Sequence, residues 1–243
     1  MTAPGTVYGV GLGPGDPDLM SVKAARLVRT AGVVAYFCKA GSRSNARGIA
    51  AGLLAPGAVE IGMEYPVTTE IAVADPAYNA ALRGFYETCV ARLLEHAEGG
   101  RDVIVLCEGD PFLYGSFMHL YTRLREHVPV VVVPGIPGMS GCWTATGQPI
   151  TWGDDVLTVL PGTLDEQTLT DRMGRADAIV VMKLGRNLPK VRRAMAAAGL
   201  LDRALYVERG TMAGETVMRL ADKPDDSAPY FSMVLVPGEG RRP

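Results

Sequence analysis

Residues 102–116 read Asp-Val-Ile-Val-Leu-Cys-Glu-Gly-Asp-Pro-Phe-Leu-Tyr-Gly-Ser. After Asp102 the run to Cys107 is β-branched and apolar without interruption, the pattern of a strand buried on both faces. Glu108-Gly109-Asp110-Pro111 breaks it. Leu113, Phe117, Leu120, Tyr121 and Leu124 then recur at helical spacing on one face. Residues 128–133 form a second buried-strand run, closed by Pro134-Gly135. Two strand–turn–helix units end to end predict a largely parallel sheet in an α/β protein.

The same alternation continues outward. Toward the N-terminus, residues 6–10 and 33–37 read as strands. Residues 21–30 read as a helix with Ser21 as N-cap, because its hydroxyl accepts an orphan backbone N–H. Residues 45–54 read as a short helix. Asp75-Pro76 opens another, with Asp as cap and Pro in the first turn. That helix carries Leu82, Phe85, Cys89 and Leu93 on one face and ends at Gly99-Gly100. The pattern breaks at 147–155, Gly-Gln-Pro-Ile-Thr-Trp-Gly-Asp-Asp. We therefore expect two α/β domains: residues 1–148 with a mostly parallel sheet and 149–243 with a mixed one. In the second, strands are expected at 156–160, 178–181, 204–207, 215–220 and 230–236, and helices at 163–175 and 187–198.

Composition narrows the function. The 243 residues are 48% hydrophobic and 21% charged, which suits a globular chain and not a disordered one. Lys and Arg total 24 against 26 Asp and Glu, so no basic excess supports nucleic-acid binding. No apolar run reaches the ~18 residues of a membrane span. The first residues lack the charged and apolar regions of a signal peptide. Cys38, Cys89, Cys107 and Cys142 form no CxxC and have no His at zinc spacing, so they read as reduced, mostly buried thiols of a cytoplasmic protein with no metal site.

Chemistry is expected on three glycine-rich loops that follow strands. The first, Gly9 to Pro17, reads Gly-Val-Gly-Leu-Gly-Pro-Gly-Asp-Pro. It fits neither GxGxxG nor a P-loop, which leaves a sharp bend with close backbone approach. The second is residues 107–116, where Asp110 either accepts from a ligand or caps the next helix. The third is residues 134–141. Ligands of open α/β sheets bind outside the carboxyl ends of strands, so a shared crevice is expected. No acid/base constellation stands out. Asp154-Asp155 and Asp225-Asp226 read as solvated turns. Lys183, Arg186, Lys190, Arg192 and Arg193 form a basic stretch, and Arg43 and Arg47 lie in another polar loop.

Four segments taken in order, Tyr-Gly-Val-Gly-Leu-Gly-Pro-Gly-Asp-Pro (8–17), Leu-Cys-Glu-Gly-Asp-Pro-Phe-Leu-Tyr-Gly-Ser-Phe (106–117), Val-Val-Pro-Gly-Ile-Pro-Gly-Met-Ser-Gly (132–141) and Val-Glu-Arg-Gly-Thr-Met (207–212), resemble the tetrapyrrole methylases. The loop with Glu108 before Gly-Asp-Pro and the segment Tyr230-Phe231-Ser232-Met233 are most similar to members acting at C20 of precorrin-2. Members acting on uroporphyrinogen tend to carry Gly-Gly-Asp-Pro instead.

The resemblance implies two α/β domains with S-adenosylmethionine in the cleft between them, not a Rossmann methyltransferase, and a homodimer. By position it implies cofactor contacts at Pro14, Glu108, Gly109, Asp110, Leu113, Pro137, Gly138, Met182 and Glu208. Many relatives carry Thr-Ala or Ser-Ser where this chain has Pro137-Gly138, so contacts there reduce to main chain. The implied reaction is methyl transfer to C20 of precorrin-2, or of its cobalt form, in cobalamin synthesis, leaving S-adenosylhomocysteine. Holding donor and acceptor in line at about 3–3.5 Å supplies much of such catalysis. The substrate's carboxylates call for basic partners, for which Arg43, Arg47, Lys183 and Arg186 are the candidates. Tyr36, Tyr114 and His119 are the groups to consider as a base, each with a bland alternative: core packing for the tyrosines, a helix surface for the histidine.

Overall fold

The computed structural model describes residues 3–66 and 76–240. The chain divides into two compact units, Met1–Pro137 and Gly138–Pro243. The sequence expectation placed the division after 148. The difference is one helix, which the glycine-rich sequence at 138–141 disguises as loop.

In the first unit the strands are β1 (Val7–Gly11), β2 (Val33–Lys39), β3 (Val59–Tyr65), β4 (Val103–Cys107) and β5 (Val130–Val133). The helices are α1 (Val22–Arg29), α2 (Asn45–Ile49), α3 (Pro76–Glu98) and α4 (Phe117–Leu124). The strand order is β3-β2-β4-β1-β5, and every pairing is parallel. All five strands therefore end on one edge. β4 is buried at every residue, as its unbroken apolar run demands. Val103, Val105 and Cys107 pack with α3 and α4, while Ile104 and Leu106 pack with α1 and α2. Each such side chain contributes roughly 1.5–3 kcal/mol on burial.

Several expectations meet a correction. Ser21 does cap α1, accepting from Ala24 N at 3.1 Å. The helix expected at 45–54 stops at Ile49 and passes into turns, since Gly48 and Gly52 weaken it. Leu113 lies in a turn before α4, not on it, because Pro111 and Gly115 precede the helix. β3 was not among the expected strands, although Val59, Ile61 and Met63 alternate with Glu60, Gly62 and Glu64. The proposed cap Asp75 lies outside the described residues; α3 begins at Pro76 and buries Cys89 and Leu93 as expected.

The second unit comprises α5 (Gly138–Ala145), β6 (Leu157–Pro161), α6 (Glu166–Met173), β7 (Ala178–Met182), α7 (Leu188–Ala197), β8 (Leu205–Glu208), β9 (Thr216–Arg219) and β10 (Ser232–Val236). Its order is β6-β7-β10-β8-β9. β6 and β7 are parallel, whereas β10 runs antiparallel to β7 and β8, and β9 antiparallel to β8. β6, β7 and β8 thus point the same way and end on one edge. α6 and α7 cover one face, burying Leu169, Met173, Leu188 and Val191; α5 lies on the other with Cys142.

Candidate functional site

The first unit gathers its three glycine-rich loops at the carboxyl edge. The Leu12 N–H donates to Cys107 O at 2.9 Å, and the Gly109 N–H donates to Gly13 O at 2.8 Å. The first continues the parallel β1–β4 ladder past its end, and the second closes an antiparallel bridge between the two loops. Gly109 takes φ 62°, a left-handed conformation that favours glycine. The third loop is held by a side chain: Asp110 accepts from Phe112 N at 2.8 Å through Oδ1 and from Gly135 N at 3.0 Å through Oδ2. Asp110 therefore staples two loops. It does not cap α4, whose N-cap is Ser116 without a side-chain bond. Contact leaves no room for a larger residue. A Cβ on Gly135 would lie 2.1 Å from Gly109 O, and one on Gly11 would lie 2.5 Å from Gly135 N.

Around these loops the implied cofactor residues are distributed as follows. Pro14 is buried, Leu113 half-buried, and Pro137 ends the third loop. Phe112, Tyr114 and Ile136 are large apolar groups left exposed. Glu108 is half-buried at the end of β4, and its Oε1 accepts from Ala46 N at 3.1 Å. Burial pushes its carboxyl above the usual range, with the Ala46 bond opposing. Its side chain thus serves α2, a role that sequence reading missed because it depends on which helix lies beside β4.

In the second unit, Met182 ends β7 and Glu208 ends β8, on the same edge of that sheet. Gly138 is the first residue of α5. The fully buried Tyr206 donates to Glu208 Oε1 at 2.5 Å. Burial and this neighbour raise the Tyr206 hydroxyl well above its usual value. Gly210 packs against Cys142 Cα, 2.8 Å from where its Cβ would be. The Thr211 Oγ1 is buried with no hydrogen-bond partner among the described residues, a polar atom suited to a ligand.

Among the described residues, the non-glycine residues with positive φ are Tyr114 (55°), Lys183 (58°), Arg209 (51°) and Thr211 (68°). All lie in loops that leave β4, β7 or β8. Such conformations cost about 1–3 kcal/mol and cluster at binding sites.

The charged candidates separate. Arg47 is committed: its Nη2 and Nε bond Glu60 Oε1 and Oε2 at 2.9 and 3.0 Å, and Tyr36 donates to Glu60 Oε2 at 3.0 Å. The Arg47 guanidinium holds the Glu60 carboxyl below the usual range. Burial, with Glu60 beside it, raises the Tyr36 hydroxyl, which keeps it protonated and so not available to accept a proton. Arg43 is exposed, without an ion pair or side-chain hydrogen bond among the described residues, and the same holds for Arg186. Lys183 is exposed and directly follows Met182. Arg192 and Arg193 are occupied by Asp226 and Glu166. Tyr114 is 43% exposed, so core packing does not explain it. His119 is exposed on α4 and stacks on Tyr86 at 4.6 Å; burial and Arg123 lower its pKa.

The thiols are free, with Cys89, Cys107 and Cys142 buried. Burial pushes Cys89 and Cys142 up to about 11, and Cys107 further still. None is a ready nucleophile. No described helix is long and apolar enough to cross a membrane.

The family model described as Tetrapyrrole (Corrin/Porphyrin) Methylases matches residues 6–222. The chain belongs to the tetrapyrrole methylases. This methylase is 54% identical over 239 residues to a precorrin-2 C(20)-methyltransferase of Sinorhizobium sp, covering 98% of each chain. It is 49% identical over 242 residues to the cobalamin biosynthesis protein CobIJ of Mycobacterium tuberculosis (strain ATCC 25618 / H37Rv), covering 100% of this chain and 48% of that protein. The chain thus spans about half of that relative. Among solved structures, uroporphyrin-III C-methyl transferase from Thermus thermophilus, complexed with S-adenosylhomocysteine, aligns with TM-score 0.68 and 26% identity over 97% of this chain and 98% of that one. The two α/β units are therefore those of the tetrapyrrole methylase fold.

Proposed function

We propose that this methylase transfers the methyl group of S-adenosylmethionine to C20 of precorrin-2, giving precorrin-3A and S-adenosylhomocysteine in cobalamin biosynthesis. The observation that carries the reading is the 54% identity, over nearly the full length, to a protein of that named activity. The loop geometry supports it: Asp110 holds the Gly135 backbone and Gly13 holds the Gly109 backbone, an arrangement suited to a ligand that contacts main chain.

S-adenosylmethionine supplies a methyl group already activated by its sulfonium, so the protein's task is positioning. We assign Pro14, Gly109, Asp110, Leu113 and the backbone at Glu108 to the cofactor from the first unit, with Pro137. From the second unit we assign Gly138, Met182 and Glu208. Asp110 acts by holding the Gly109 and Gly135 loops in register, which fixes where the ligand sits. The unpaired Thr211 Oγ1 offers a further polar contact. Arg43, Lys183 and Arg186 are the cations we assign to the substrate carboxylates; Arg47 is spent on Glu60. None of Tyr36, Tyr114 and His119 is required as a base in this reading. We further propose a cytoplasmic location and a homodimer; light scattering of the purified protein tests the dimer.

The deciding experiment is methyl transfer to purified precorrin-2, followed by mass spectrometry and NMR of the product. A methyl group at C20 is expected. Methylation at another carbon, or only of the cobalt-containing macrocycle, overturns the assignment. Calorimetry with S-adenosylhomocysteine tests the cofactor half separately, and absence of binding at millimolar ligand would sink it.

A further inference from the structure

The segment that carries Arg43 is tied down by two carboxylates from elsewhere in the sheet. From the end of β4, Glu108 accepts from the Ala46 N–H at 3.1 Å. From β3, Glu60 grips Arg47 through two bonds and takes the Tyr36 hydroxyl of β2 as well. Ser44, which is buried, caps the helix by accepting from Arg47 N at 3.3 Å. α2 is only five residues long. A helix that short is marginal by itself and exists because its surroundings hold it. The consequence is mechanical: the position of Arg43, just ahead of the Ser44 cap, is set by what α2 is fastened to.

Glu108 sits next to Gly109 and Asp110, which organise the cofactor loops. Its side chain leaves that group and reaches α2 instead. A carboxylate in this half-buried place is costly, since burial raises its pKa, and the Ala46 N–H is the bond that offsets the cost.

We infer that Glu108 is a positioning residue for tetrapyrrole recognition: its carboxylate docks the 41–47 segment, and with it Arg43, onto the strand end that carries the cofactor loops. The inference rests on the methyl-transfer reading and adds the residue that couples its two halves. It reassigns the Glu108 side chain from cofactor contact to substrate-side alignment and leaves only the main chain of this residue to the cofactor. Among the described residues, no other side chain joins α2 to β4 by a hydrogen bond.

The test compares Glu108→Ala, Glu108→Asp and Glu108→Gln with the parent chain. Gln keeps an acceptor at the same reach, while Asp keeps the charge but falls one methylene short. Three quantities are read: amide exchange of residues 41–50, the KM for precorrin-2, and S-adenosylhomocysteine affinity by calorimetry. Glu108→Ala and Glu108→Asp are expected to speed exchange at Ala46 at least tenfold and raise KM at least tenfold. Cofactor affinity should move less than threefold, and Glu108→Gln should restore both exchange and KM to within about threefold of the parent. Parallel loss of cofactor affinity would make Glu108 a cofactor ligand and overturn the inference. Faster exchange with unchanged KM would show a tether without a role in recognition, and unchanged exchange would show no tether. Should Glu108→Ala not fold, Glu108→Asp carries the same outcomes. If the parent chain itself transfers no methyl group to precorrin-2, the functional reading fails; the exchange arm needs no substrate and still decides whether Glu108 holds α2.

Discussion

The two sheets solve the same problem differently. In the first unit every strand is parallel, so the loops after β1, β4 and β5 emerge together and can be sewn to one another by Leu12, Gly13, Gly109, Asp110 and Gly135. In the second unit the antiparallel insertion of β10 between β7 and β8 separates their ends by one strand. The Gly162 N–H still donates to Met182 O at 2.7 Å past the ends of the parallel β6 and β7, but among the described residues no such backbone bond joins the loops after β7 and β8. Each holds its shape locally, through left-handed Lys183, Arg209 and Thr211. Adjacent parallel strands let the loops at their ends bond one another, and an antiparallel strand between two ends removes that contact.

The largest effect should come where loops touch. Gly135→Ala puts a Cβ 2.1 Å from a carbonyl oxygen, with backbone on every side. We expect S-adenosylhomocysteine affinity to fall by more than about 10²-fold, roughly 2.7 kcal/mol, together with a lower Tm. Gly138→Ala, in the second unit, meets only the flexible Met233 tip at 3.5 Å and should change either quantity little. Equal sensitivity at the two positions would break the comparison. Calorimetry and thermal melts of both variants decide it.

Next in size is Asp110→Ala, which leaves two loop N–H groups without their acceptor. Each lost bond to a charged acceptor is worth about 1.5–3 kcal/mol. Cofactor affinity should drop by at least about tenfold, and Asp110→Asn should recover part of it. Full affinity in Asp110→Ala would mean that the backbone bonds alone hold the loops.

Lys183→Gly probes stored strain in the second unit. Relief of a left-handed conformation at φ 58° should stabilise the protein by up to about 1 kcal/mol, a Tm rise of roughly 2–4 °C. The same variant should raise KM for the tetrapyrrole, with a loss that shrinks as salt is added to the parent. A lower Tm would show that the interactions of the Lys183 side chain outweigh the strain at its backbone.

Glu108→Gln should show a pH-dependent stability change. The folded pKa of Glu108 lies above its unfolded value, so the native state binds more protons between the two, and stability from this group is lost as pH rises through that interval. At pH 7 the Gln variant should therefore melt above the parent, and the gap should close below the ordinary carboxylate pKa. A gap independent of pH would point to packing. The smallest effect is expected at His119→Ala: an exposed ring stacked on Tyr86 should cost less than about tenfold in turnover, well below the ~10²-fold of a general base.

Local pattern carried much of this protein. The apolar run at Val103–Cys107, the Ser21 cap and the helical face of Cys89 and Leu93 announce themselves, because burial on both faces, a hydroxyl ahead of a helix and a 3–4 spacing are properties of short stretches. The glycine-rich loops and their order along the chain marked both the family and the region of the site. β3 was equally visible as an alternation at Val59, Ile61 and Met63, but the exposed Glu60 and Glu64 between them mask a strand at the sheet's edge. α5 was hidden by Gly138 and Gly141, which read as loop until the helix packs them against Met233 and Gly210. What only the tertiary structure decided is how side chains are spent. Arg47 looked available and is taken by Glu60, 13 residues away; Glu108 looked like a cofactor ligand and serves Ala46, 62 residues away. Asp110 read as a ligand acceptor or a helix cap, and its carboxylate staples Gly135, 25 residues on. Hydrogen bonds and ion pairs act over about three ångströms in space, and separation along the chain carries no information about that distance until the parallel sheet brings the strand ends together.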